Sequence, residues 1–141
     1  MLNQLSGQVA EMQLANALRS AKRFRLSRFF DVMPPDADAT LNITDVKTRV
    51  IVQRADGKNQ ELDVVAESAC GHVLVVEVKK RAVKTSAAQV QDFYEKAAAY
   101  QHQQPDQTIA PAFLSLGGFS ADALALCRQQ GIAVAAKMMA F

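Results

Sequence analysis

Glu61-Leu62-Asp63-Val64-Val65-Ala66-Glu67, a break at Cys70-Gly71, and His72-Val73-Leu74-Val75-Val76-Glu77-Val78-Lys79 decide how this chain folds. Each half is apolar and β-branched with turn residues between them, which predicts two strands joined as a hairpin. Side chains alternate faces along a strand, so Glu77 and Lys79 project to the same side. Asp63 lies on the neighbouring strand and reaches the same place if the two strands pair. A buried charge is costly unless it is paired or coordinates a metal. One resolution is a divalent-metal site, because Mg²⁺ takes oxygen ligands and is commonly held by one or two carboxylates. The bland alternative is a solvated Glu77–Lys79 pair at a strand end.

The 141 residues fit a single domain, residues 1–141, large enough for one hydrophobic core. Half of them are hydrophobic and 21% are charged, which is ordinary for a globular protein. No apolar run approaches the ~18 residues of a membrane-spanning helix. The opening residues lack a signal-peptide layout, and whether Met1 begins a protein or an excised domain stays open. Cys70 and Cys127 form neither a zinc pattern nor a disulfide framework, and are expected as core or near-core thiols in a reducing cytoplasm. The net charge of +2 is too small to indicate a nucleic-acid partner, but its distribution says more. Arg19, Lys22, Arg23, Arg25 and Arg28 fall within ten residues, and Lys79, Lys80, Arg81 and Lys84 directly follow the apolar strand. Clustered cations of this kind suit phosphate binding; the other reading of the first cluster is a solvated helix end.

From Leu5 to Arg25 the pattern is helical, with Leu14, Leu18 and Ala21 at helical spacing and Glu11 on or beside that stripe. Pro34 and Pro35 make Asp31–Ala39 a loop whose acids, Asp36 and Asp38 among them, are expected in solvent. Thr40–Arg54 reads as a long strand with Val46, Thr48, Val50 and Val52 on one face, turning at Asp56-Gly57. The strand from Val73 to Val76 is apolar on both sides and is expected to be central. Ser86 and Gln89 are spaced as a capping box opening a helix with the core stripe Val90, Phe93, Ala97 and Tyr100. Ile109–Leu116 predicts another strand, Gly117-Gly118 a turn, Ser120 the cap of a helix ending near Gly131, and Ile132–Ala136 a final strand. His72 and His102 have no metal-ligand spacing.

Asp63, followed fourteen positions later by Glu77-Val78-Lys79, resembles the motif of the PD-(D/E)XK nuclease superfamily. The family's frequent proline before the aspartate is replaced here by Leu62. The closing Gly118–Ser120 to Gly131–Ile132 passage is also similar, so the resemblance covers nearly the whole chain. It implies the restriction-endonuclease-like fold: α/β, a central mixed sheet antiparallel in its first three strands, flanked by helices, in the order αβββαβαβ. It further implies an endonuclease, a hydrolase of DNA phosphodiesters, dependent on Mg²⁺ or Mn²⁺. Asp63 and Glu77 would be metal ligands, with Glu11 and the Val78 carbonyl assisting, and Lys79 would be catalytic. Gln89, with Phe93 four residues on, loosely matches a further functional glutamine. The basic residues Arg19, Lys22, Arg23, Arg25, Arg28, Lys80, Arg81 and Lys84 would then face nucleic acid. A homodimer, or flanking domains and partner proteins for targeting, are assemblies implied by analogy. The competing reading is an inactive nucleic-acid-binding or interaction domain of the same fold.

Overall fold

The computed structural model describes residues 2–32, 38–54 and 56–137, with side chains from Val9 onward. Pro34, Pro35 and Asp36 lie outside the described residues. The elements are α1 (Leu2–Ala21), β1 (Arg23–Arg25), β2 (Thr40–Gln53), β3 (Asn59–Ser68), β4 (His72–Lys79), α2 (Ala87–Gln103), β5 (Thr108–Ser115), α3 (Ala121–Gln130) and β6 (Ala133–Ala135). The strands form one sheet in chain order, β1-β2-β3-β4-β5-β6. β1 to β4 are joined antiparallel, whereas β4–β5 and β5–β6 are parallel. α2 and α3 supply the crossovers that parallel pairs require. This is the expected α/β architecture with a central mixed sheet flanked by helices, and one short strand added at its edge.

β4 is the middle of the sandwich. Leu74, Val76 and Val78 enter the core beneath α1, and Val73 and Val75 enter the core beneath α2 and α3. Burial on both faces explains why its sequence is a continuous apolar run rather than an alternation. α1 buries Ala10, Leu14, Ala15 and Leu18, with Glu11 beside them at 9% exposure. The next segment crosses the same face: Phe24, Leu26, Phe29 and Phe30 are all buried in that core. Asp31 then pairs with Val134 of β6, donating its amide at 2.8 Å and accepting one at 3.0 Å.

Three expectations change. The helix expected to reach Arg25 ends at Ala21, because Lys22 takes a left-handed conformation (φ 60°) and Arg23–Arg25 pairs with Thr40–Asn42 as β1. Cys70, expected near the core, is exposed in the β3–β4 turn, whereas Cys127 is buried as expected. The third change is in β2. Val46 packs under α1, while Val50 and Val52 pack on the α2 side, although all share one strand parity. On β3, Val64 and Leu62 divide in the same way. The faces exchange at Arg49 and Asp63, between the register pairs Thr48↔Val64 and Val50↔Leu62. Arg49 is left-handed there (φ 56°), a conformation costing ~1–2 kcal/mol outside glycine. Such strain tends to collect at functional sites.

Candidate active site

The β3–β4 ladder runs from Glu67↔Val73 to Val64↔Val76 and its register goes no further. At the next step the Asp63 carboxylate takes the place of a backbone acceptor. Its Oδ2 accepts the Val78 amide at 2.8 Å. The backbone ladder therefore has a gap here, bridged by the Asp63 side chain, with Asp63 on β3 and Glu77 and Lys79 on β4. Glu77 is 5% exposed, and the neighbouring Asp63 carboxyl repels its charge and favours its protonated form. The Lys79 ammonium lies 3.9 Å from Glu77 Oε2, with its side chain 41% exposed. The three motif residues are thus brought together, and the bland reading of a solvated strand-end pair fails at Glu77.

Burial is the main force on the Glu77 carboxyl, and the Asp63 charge adds to it. Together they push Glu77 up to about 7 from 4.5, against the pull of Lys96 and Lys79. Glu11 is also raised, first by burial and then by Asp63, with Arg49 acting in the opposite sense. Its closest cation is Arg49, whose Nε lies 3.5 Å from Glu11 Oε2. Glu11 therefore feels Asp63 across the site while its own partner is the strained arginine. The expected convergence of Asp63, Glu77 and Glu11 is looser than a shared ion demands. Among the described residues, no three His, Cys, Asp or Glu side chains are grouped to hold a metal.

The residue that sequence reasoning missed is Lys96. It projects from α2, 8% exposed, and its Nζ donates to both Glu77 oxygens at 3.1 Å and to the Glu61 carbonyl at 3.0 Å. The sign was available: Lys96 is three residues after Phe93 and four before Tyr100, on the helix's apolar stripe. Gln89, placed in the site by the resemblance, is an exposed capping residue instead. Its Oε1 accepts the Ser86 amide at 2.9 Å, and its own amide donates to Ser86 Oγ at 3.3 Å.

The donor set suits a hard cation: two neighbouring carboxylates, of the oxygen-ligand type that Mg²⁺ takes. It has one complication, in that Lys96 already occupies both oxygens of Glu77.

The two basic clusters separate. Lys80, Arg81 and Lys84 are exposed on the loop leaving β4, beside Lys79. That loop is tied to the ends of β5 and α3 by a Thr85–Ser115 hydroxyl contact at 2.7 Å and by Thr85 backbone bonds to Gly118 and Ser120. The other cluster runs from Arg19, beside the middle of β2, to Arg23 and Arg25, which pair with its first residues. Arg19 is spent on the Val46 carbonyl at 2.8 Å, Arg25 pairs with Asp38 at 3.3 Å, and Arg28 stacks on Phe29. Lys22 and Arg23 are exposed.

No protein-family model and no curated protein matches this chain. Among solved structures it is similar to the protein of unknown function AF1548, at 21% identity and a TM-score of 0.64, over 90% of this chain and 56% of that one. It is also similar to Can2 from Sulfobacillus thermosulfidooxidans, solved with cyclic tetra-adenylate, at 14% identity and a TM-score of 0.60, over 94% of this chain and 33% of that one. A repair endonuclease from Pyrococcus abyssi is more distant, at 13% identity and a TM-score of 0.45, over 62% of this chain and 38% of that one. The chain spans about half of AF1548 and a third of Can2. The likenesses to AF1548 and Can2 speak to the fold alone. No described helix is long and apolar enough to cross a membrane.

Proposed function

We propose that this chain, having the restriction-endonuclease-like fold, is a metal-dependent nuclease that hydrolyses DNA phosphodiesters at the gap between β3 and β4. The observation that carries this reading is the placing of the Asp63 carboxylate on the Val78 amide, between buried Glu77 and Lys79, whose ammonium lies 3.9 Å from Glu77. Asp63 and Glu77 would hold Mg²⁺ or Mn²⁺, with the Val78 carbonyl assisting and Glu11 acting electrostatically from α1. A bound ion there supplies charge neutralisation at the phosphate and acidifies a water near neutral pH. The residues of the chain do the rest. The Val78 amide fixes the Asp63 carboxylate through its Oδ2. Lys79, half in solvent, offers an ammonium to the attacking water or to charge growing on the phosphate oxygens. Lys80, Arg81 and Lys84 follow on the adjacent loop, where they meet the flanking phosphates.

A single site cuts one strand at a time, so nicking precedes linearisation, and cutting both strands calls for a second copy or a second encounter. The binding-domain alternative keeps affinity for DNA without turnover. Supercoiled plasmid with Mg²⁺ separates the two. Wild type should nick it and lose all activity in excess chelator. Lys79→Ala should lower the rate by ~100-fold or more, as removal of a transition-state cation does, while melting within a few degrees of wild type. DNA binding without metal-dependent nicking would establish the alternative.

A further inference from the structure

Lys96 is not required by the mechanism above, yet it is the best-bonded cation in the site. An ammonium has three protons, and here each has an acceptor: Glu77 Oε1, Glu77 Oε2 and the Glu61 carbonyl. Its side chain is 9% exposed and that of Glu77 6%. Lys79 differs in both respects, being 3.9 Å away and 41% exposed. Two lysines thus flank one carboxylate with separate duties: Lys79 faces outward, and Lys96 is committed to Glu77.

The oxygens that Lys96 occupies are those a divalent cation would need. An ammonium and a dication cannot both approach a single carboxylate closely inside a protein without strong repulsion. Resting on the reading that Asp63 and Glu77 take the metal, the geometry points to Lys96 as a resident counter-ion that the metal displaces. Lys96 then sets the affinity of the site for the ion. In the metal-free protein it neutralises a carboxylate pair that would otherwise repel. When the ion enters, the ammonium gives up Glu77 and keeps the Glu61 carbonyl, two positions before Asp63 on β3. Its flexible four-carbon stem allows the swing without movement of α2, which Phe93, Ala97 and Tyr100 hold against the sheet.

The test is a calorimetric titration of Mn²⁺ into wild type, Lys96→Gln and Lys96→Met. The neutral variants should bind Mn²⁺ about tenfold or more tightly, since a competing charge has been removed from a buried carboxylate. They should also melt lower without metal and gain more from it than wild type does. Equal or weaker Mn²⁺ affinity in both variants, with melting lowered equally with and without metal, would make Lys96 a plain structural ion pair and overturn the inference. Wild type supplies an independent readout should the variants fold poorly. A buried, fully bonded ammonium exchanges slowly enough for its Nζ resonance to be followed by NMR. Saturating Mg²⁺ should shift or broaden that resonance, and an unmoved one overturns the inference while leaving the nuclease reading intact. A wild type that binds no Mn²⁺ at all would remove both.

Discussion

Glu77 holds the opposing demands of this site in one side chain. The proposed metal binding would need it ionised, whereas burial and Asp63 raise it to about 7. The sign follows directly. Below about 7 a proton must leave Glu77 before an ion can enter, so Mn²⁺ affinity should fall about tenfold per pH unit there and level off above it. Stability of the metal-free protein runs the other way. The folded value lies above the ordinary 4.5, so the contribution of this group declines as pH rises from 4.5 to about 7. Titrations from about pH 5.5 to 8 check this, and an affinity that is flat across the range would take Glu77 out of the metal site. At this scale the sequence was half legible. Asp63, Glu77 and Lys79 stood out because charge on an apolar strand demands a partner. Lys96 made the same demand on a helix, yet a lysine among alanines reads as a solubilising residue until the strand opposite it is known. Gln89 shows the converse, since one spacing serves a capping box and a family motif, and only the geometry of the Ser86 contacts decides between them.

The elements place these residues through two local irregularities. One is the exchange of faces at Arg49 and Asp63, invisible in a pattern that continues as Val46, Thr48, Val50 and Val52. Strand parity predicts a face only while the twist is regular, and a left-handed residue interrupts it. β1 was illegible for a simpler reason: three residues, Arg23-Phe24-Arg25, carry too little periodicity to separate from the end of a helix. The long, strongly patterned elements, α2 and β2 to β5, were plain in the sequence. The second irregularity is at Gly117. A Cβ there would overlap the backbone carbonyls of Arg81 and Val83, so the basic loop lies directly on the glycine. Gly117→Ala must push that loop outward, and overpacking of this kind costs ~1–3 kcal/mol. The variant should melt lower and bind DNA more weakly, because Lys80, Arg81 and Lys84 lose their fixed position. Unchanged DNA affinity in a destabilised Gly117→Ala protein would mean that the loop does not touch the substrate.

Across the whole molecule, the proposed function turns on which surface nucleic acid would follow. Clustered cations were legible in the sequence, but their separation was not, because it depends on the register that places Arg23 against Asn42 and Arg25 against Thr40. Lys22 and Arg23 lie against Ile43 and Asn42, six and seven residues of β2 from Arg49, or roughly 20–23 Å at ~3.3 Å per residue. The exposed part of the first cluster, Lys22 and Arg23, therefore stands away from the gap, while Arg19 and Arg25 have internal partners. The loop cations should dominate binding. Neutralising Lys80, Arg81 and Lys84 should flatten the slope of log affinity against log salt, on duplexes of any length, by up to ~0.9 for each phosphate that is no longer neutralised. Neutralising Lys22 and Arg23 should matter only when the ligand is long enough to touch both regions at once. A duplex of ~6 bp covers roughly 20 Å and one of ~24 bp roughly 80 Å, at ~3.4 Å per pair. The Lys22/Arg23 variant should therefore match wild type on a short hairpin duplex and show a shallower slope on the long one. A slope reduced equally on both lengths would place the far cluster in the main binding surface, and no reduction on either would confine the nucleic acid to the β4 end of the sheet.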